Sequence, residues 1–281
     1  MPFDRCALAG LALCALAACA PMPGAAPAAE PLSAARIAEI VAAPERSDAD
    51  RTNDQRRKPR EMLAFIAIKP GSVALDLSAG GGYTTELLAR AIGPGGKAFG
   101  QSPPPTVRPP PAQPEGAAAP VAAAPANAAP RPPPPRLAGR AAALAAQGVG
   151  QIVPVLQPFE DPVPADVASD ALDLVTLMFN YHDLGHMGVD RTRMNAAVFK
   201  ALKPRGVYVI ADHSGRPGTG ISEAGTLHRI EEAFLRAEVE RAGFKLIEEG
   251  HFLRNPNDPR NKNTPEPPMP KDEFVLKFVK P

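Results

Sequence analysis

Apolar positions along the 281-residue chain change period several times, and each change marks an element. Val73, Leu75 and Leu77 alternate with smaller residues and predict a buried strand, after which Leu87, Leu88 and Ala91 recur at helical spacing. Gly95 and Gly96 then turn the chain into a second strand, Lys97 to Gln101. Leu137 to Gln147 predicts a helix and Gln151 to Leu156 a third strand. The most continuous apolar run, Ala171 to Phe179, predicts a central strand. A helix from Arg191 to Leu202 turns Met194, Val198 and Phe199 inward, and Val207 to Ala211 forms a fifth strand. The segment from Glu223 leads into a helix through Val239 that Gly243 ends; Phe244 to Glu249 and Phe274 to Val279 then pair as a late hairpin over a long connection. Ahead of the first strand, Ser33 caps a helix with Ile37, Ile40 and Val41 as its stripe, and Glu61 to Ile68 forms a second helix. Strands and helices in this alternation predict an α/β domain around a parallel sheet.

Composition adds two segments that no core requires. With Pro 36 against Phe 11, Tyr 3 and Trp 0, part of the chain must stay outside a packed interior. One such part is residues 102–136, almost wholly proline and alanine, which reads as an insertion enlarging a loop of one domain spanning 45–281. Low-complexity drift and a proline-recognising partner both account for it. The other part is the N-terminus, where Ala7 to Ala18 is a short apolar run that reads as an export signal over 1–18, followed by a tether and first helix over 19–44. Its end, Leu16-Ala17-Ala18-Cys19, resembles a bacterial lipoprotein signal. That resemblance implies lipid on Cys19, loss of Cys6 and Cys14 with the signal, and a membrane-attached protein on the periplasmic face; an alanine-rich leader on a cytoplasmic enzyme is the alternative. A formal net charge of +1 gives no reason to expect a nucleic-acid partner.

Candidate chemistry concentrates where strands end. Gly80, Gly81 and Gly82 let the backbone turn tightly and approach a ligand, and the following helix offers free N–H groups. Asp76 near the strand end would repel a pyrophosphate but accept hydrogen bonds from an amino-bearing group, and Thr85 stands where a dinucleotide loop needs a third glycine. The sequence also lacks a phosphate-loop motif. After the third strand, Phe159 offers a face to an adenine and Glu160 a carboxylate to its amino group, with a solvated loop as the alternative. Asn180, Tyr181, His182 and Asp183 follow the central strand, and Asp212 and His213 follow the fifth, so all converge on one sheet edge. The polar stretch 45–58 reads either as a solvated surface or as a basic lid over that edge that holds a carboxylate.

The order of elements, with Leu-Asp-Leu-Ser-Ala-Gly-Gly-Gly at 75–82, resembles the class I S-adenosylmethionine-dependent methyltransferases. Phe179-Asn180-Tyr181-His182-Asp183, Ala211 to Gly215 and Leu253 to Pro259 narrow the resemblance to a group of bacterial exported methyltransferases. It implies a Rossmann-like seven-stranded, mostly parallel sheet with an antiparallel C-terminal hairpin. It also implies S-adenosylmethionine as cofactor, held by Asp76, Ser78, Gly80, Gly81, Gly82 and Asn180, with Gln101 at the ribose position, and methyl transfer to a small-molecule acceptor. Ser78 departs from the usual glycine and Gln101 from the usual acid. His182 or His213 can serve as base, Asp183 and Asp212 as groups orienting a histidine or holding substrate, and Tyr181 as a pocket wall. His182, His186 and His213 with Asp212 also invite a metal reading, but Gly185 argues against one helix face and no metal is assigned. A noncatalytic envelope binding module, or an oxidoreductase or hydrolase on the same edge, are the competing functions.

Overall fold

The structure, a computed structural model, describes residues 1, 30–105, 135–265 and 267–281. The export signal, Cys19, and most of the tether and of the proline-rich insertion lie outside the described residues.

Three helices precede the sheet: α1 (Ala34–Ala42), α2 (Asp48–Arg57) and α3 (Pro59–Ile66). Ser33 caps α1 by accepting from the Arg36 amide, and Ile37, Ile40 and Val41 are buried as their spacing requires. α2 has no apolar period to announce it, because its residues are polar throughout. Ser47 caps it, Asp48 and Asp50 occupy its first turn and Arg56 and Arg57 its last, an arrangement that complements the helix dipole at both ends.

The alternating part follows as β1 (Val73–Leu77), α4 (Tyr83–Ile92), β2 (Lys97–Ser102), α5 (Pro135–Gln147), β3 (Ile152–Leu156) and β4 (Leu172–Met178). Ser102 therefore ends a strand and Pro135 and Arg136 begin a helix, so the insertion is shorter at both ends than its composition suggests. Next come α6 (Tyr181–His186), α7 (Arg191–Ala201), β5 (Leu202–His213), α8 (Ala224–Leu227), α9 (Glu232–Arg241), β6 (Lys245–Gly250) and β7 (Glu273–Val279). The seven strands form one sheet in the order β3-β2-β1-β4-β5-β7-β6. Parallel pairing holds from β3 to β5, and β7 runs antiparallel to both β5 and β6. This is the Rossmann-like sheet with its antiparallel C-terminal hairpin.

Three local expectations change. β5 begins at Leu202, because Leu202 pairs with Leu172 before a bulge and Arg205 turns through φ 66, so α7 ends one residue earlier. Gly185 does not break α6; a Cβ there would lie 2.3 Å from Ile221 Cδ1, so the glycine permits close packing instead. The segment from Glu223 that leads into the helix through Val239 forms a short helix of its own and breaks at His228, φ 51, where Ile230 is drawn into a parallel bridge with Ser214 and Arg229 is buried against Asp258 at 2.9 Å.

The sheet separates two cores. α1, α3, α4 and α5 cover one face, with Leu88, Ala74 and Leu137 fully enclosed. α6, α7 and α9 cover the other, around Leu75, Val175, Tyr208 and Phe274. Burying each such large side chain contributes roughly 1.5–3 kcal/mol, which fixes the strand ends at one edge. No helix among the described residues is long and apolar enough to cross a membrane.

Candidate functional site

The loop between β1 and α4 lies at the carboxyl edge of the sheet. Ser78, Gly80 and Gly82 adopt φ 55, 53 and 81, the left-handed region that glycine enters freely and serine only with strain. A glycine at this position would adopt the angle without that strain. Ser78 is held there by two contacts: its amide donates to Gln101 Oε1 at 2.9 Å, and its hydroxyl accepts from Asn180 Nδ2 at 2.8 Å. The amides of Gly80 and Gly81 have no hydrogen-bond acceptor among the described residues. They are the loop's open donors.

Asp76 is sealed beneath this loop. Thr85 donates to its Oδ2 at 2.6 Å and Thr176 to its Oδ1 at 2.7 Å, so the carboxylate braces β1, α4 and β4. Burial pushes it up to about 6, against the opposing hydroxyl bonds and the charge of Arg57. The Gln101 amide, expected at the ribose position, is engaged at both ends, by the Ser78 amide and by the Gln157 carbonyl at 2.6 Å. Next to it stands a group that sequence reading passed over: Ser102 Oγ is buried at the end of β2 without a partner among the described residues.

α2 covers the loop from above. Arg46 grips Asp54 with two bonds of 2.7 Å, and Tyr83 donates to the same carboxylate at 2.6 Å. Arg140 of α5 clamps from the side, donating to Gly81 O at 2.7 Å and to both Asp50 oxygens, with a further bond to Glu86. Leu137 and Arg140 leave no room at Gly82, where a Cβ would lie 2.7 Å from Leu137 Cδ1. The stretch 45–58 is thus mostly solvent-exposed, as a surface segment, while Arg46, Asp50, Asp54 and Arg57 turn inward toward the glycine loop.

Within it Arg57 differs from its neighbours. Its guanidinium lies 5.2 Å from the Tyr83 ring centre and 4.8 Å from that of Phe179, and its Nε is buried without a partner among the described residues. Burial and the nearby Arg56 charge lower its pKa. It borders a small, largely apolar recess between α3, α4 and Phe179. A cation with an unfilled donor beside free loop amides suits a carboxylate.

On the other side of Phe179 lies a histidine cluster. His182 is buried; its amide donates to Asp212 Oδ2 at 2.8 Å and its Nδ1 lies 2.6 Å from Asp212 Oδ1. Burial alone would lower its pKa, but the Asp212 and Asp183 carboxylates raise it. Its Nε2 stands 3.2 Å from Asp183 Oδ1, which His228 Nδ1 approaches to 2.9 Å. His213 is 5.4 Å from His182, ring centre to ring centre, and its Nδ1 is 2.9 Å from Glu273 Oε1 without hydrogen-bond alignment. Burial lowers its pKa despite Glu273 and Asp212, so its ring is neutral near pH 7.

The sheet edge therefore gathers Ser78, Gly80, Gly81, Asn180, His182, Asp183, Asp212 and His213. Three predicted residues lie elsewhere. Tyr181 points between helices, donating to Glu238 at 3.0 Å and accepting from Asn195 at 2.9 Å, so it does not wall the pocket. Phe159 is buried in the core on the sheet face opposite α4, so its ring is not offered to an adenine. Glu160 accepts from the Asp190 amide at 3.3 Å at the α7 cap. The segment from Leu253 to Pro259 also proves structural: Arg229 donates to Ser214 O and pairs with Asp258, and Arg254 donates to Ser214 Oγ at 3.1 Å.

No family model and no curated protein matches the chain. Solved structures do match. A methyltransferase dependent on S-adenosylmethionine from Aquifex aeolicus is 14% identical over 89% of this chain and 100% of its own, with a TM-score of 0.52. The [4+2]-cyclase SpnF is 14% identical over 80% of this chain and 82% of its own, with a TM-score of 0.51. At such identity the likeness shows the fold alone, the Rossmann-like α/β sheet described above.

Proposed function

We propose that this protein transfers a methyl group from S-adenosylmethionine to a small-molecule acceptor. The observation that carries the reading is the set of groups near the glycine loop without a partner among the described residues: Arg57 Nε, the Gly80 and Gly81 amides and the Ser102 hydroxyl. Together they match the carboxylate and hydroxyls of that cofactor. Arg57 would hold the carboxylate as a charge-assisted partner, and Ser102 would take a ribose hydroxyl in place of Gln101, whose amide is already engaged.

What the cofactor supplies is an electrophilic methyl on a sulfonium. The chain's own task is to position the acceptor, exclude water and accept a proton. His213 is the base in this reading, because burial keeps it neutral and its Nε2 is the nitrogen turned away from Glu273. His182 is a positioning residue, fixed by Asp212 through both ring and backbone. Asn180 keeps the β4 end against the glycine loop.

Calorimetry of the folded chain with S-adenosylmethionine and its demethylated product tests the reading. Binding of both is expected, and absence of binding to either at millimolar concentration sinks it. His213→Ala should then reduce turnover far more than cofactor affinity. Export with lipid on Cys19 is part of the same proposal and rests on residues 1–19 alone; mass spectrometry of the mature N-terminus tests it.

A further inference from the structure

His182, Asp183 and His228 come together from two segments that are 45 residues apart, Asp183 to His228, and their ligand atoms all lie within 4.8 Å of one another. Hydrogen bonding satisfies their geometry only when the His182 ring carries a second proton. His182 Nδ1 faces Asp212 Oδ1 at 2.6 Å, so in the neutral ring the proton sits there and the Nε2 lone pair points outward. That lone pair then faces the Asp183 carboxylate at 3.2 Å, acceptor against acceptor. A positive charge between them removes the conflict, and His228 brings a third donor atom to the same carboxylate oxygen at 2.9 Å.

We propose that His182, Asp183 and His228 bind a divalent first-row transition cation. Two imidazoles and one carboxylate suit such an ion better than magnesium or calcium, which take oxygen ligands. Asp212 supplies the supporting carboxylate that fixes the tautomer of a metal-binding histidine. His228 is held at φ 51, a costly angle for a histidine, which keeps its ring over Asp183. Asp183 and His228 are part-exposed while His182 is buried, so the solvent side of the ion stays open for an exogenous ligand. The neighbouring charge opposing a cation is Lys271, whose ammonium bonds Asn263 Oδ1 at 2.8 Å; Asp183, Asp212 and Glu273 outnumber it. Binding of this ion does not depend on the methyltransferase reading.

Cobalt(II) is the probe, titrated into tag-free full-length chain carrying Cys6→Ser, Cys14→Ser and Cys19→Ser so that no thiolate contributes. Visible d–d absorption is expected to saturate at about one ion per chain, with zinc(II) displacing it. Asp183→Asn and His228→Asn should abolish the spectrum; asparagine suits the second site because it tolerates the left-handed angle. Asp212→Asn should weaken affinity by about 10- to 100-fold, while His251→Ala leaves it unchanged. Should the ligand variants lose their circular dichroism, paramagnetic shifts of the His182 and His228 ring resonances in the unmutated site decide. Absence of cobalt absorption in folded protein, meaning a shared proton alone, overturns the proposal. So does a spectrum that survives both ligand substitutions, or shifts confined to other histidines.

Discussion

Asn180 donates from Nδ2 to Ser78 Oγ across 2.8 Å, tying the end of β4 to the loop after β1. Both strands leave the sheet through left-handed residues, Ser78 at φ 55 and Phe179 at φ 61. The bond therefore joins two strained exits that parallel pairing has already brought side by side. In a double-mutant cycle, Ser78→Ala and Asn180→Ala should couple by about 0.5–1.5 kcal/mol in urea unfolding. Strict additivity would mean that the two exits hold their angles independently.

Gly82 has both a left-handed angle and no room for a side chain, with φ 81 and a virtual Cβ 2.7 Å from Leu137 Cδ1. Gly82→Ala should destabilise the chain by about 1–3 kcal/mol. Because the strain falls on the glycine loop, cofactor affinity should fall in the same variant even where it remains folded. Gly71→Ala, at a similar angle but in open space, should lose stability without changing affinity.

Asp76 makes stability depend on pH with a defined sign. Its folded pKa of about 6 lies above the ordinary carboxylate value, so the folded state binds its proton more tightly than the unfolded chain does. Its contribution is fully present below about pH 4 and is lost as pH rises through about 6. Relative to Asp76→Asn, the natural chain should lose stability between those values. Urea midpoints at pH 4 and 7 measure this, and a constant difference between the two proteins would refute it.

Among the described residues no carboxylate hydrogen-bonds Arg57, whose guanidinium lies over the faces of Tyr83 and Phe179. Arg57→Met should therefore weaken S-adenosylmethionine binding by about tenfold or more. It should leave the affinity for methylthioadenosine, which lacks the carboxylate, nearly unchanged. Equal losses for both ligands would place Arg57 in packing rather than recognition.

The sheet could be read from the sequence because each strand carries its own signal. Val73 to Leu77 and Leu172 to Met178 are apolar runs bounded by turns, and their burial follows from local composition. α2 could not be read this way. Its stability comes from caps and from Arg46–Asp54 and Arg140–Asp50 pairs, the second spanning 90 positions. The site divides along the same line. Strand-end residues such as Asn180, His182 and His213 were visible because they follow apolar runs. Arg57 and Ser102 were not, since an unfilled donor has no sequence pattern. Tyr181 misled for a related reason: one residue after Asn180, the turn of α6 rotates it away from the edge and toward Glu238.

The proline-rich insertion hangs from two anchors. On one side is the end of β2, where Gln101 holds Ser78; on the other is the start of α5, where Leu137 presses on Gly82 and Gly100 and Arg140 grips Gly81. Both flanks of residues 106–134 therefore touch the glycine loop, β2 through Gln101 and α5 through Leu137 and Arg140. A substitution at either flank, in Gln101 or in Leu137, is thereby a substitution at the wall of that loop.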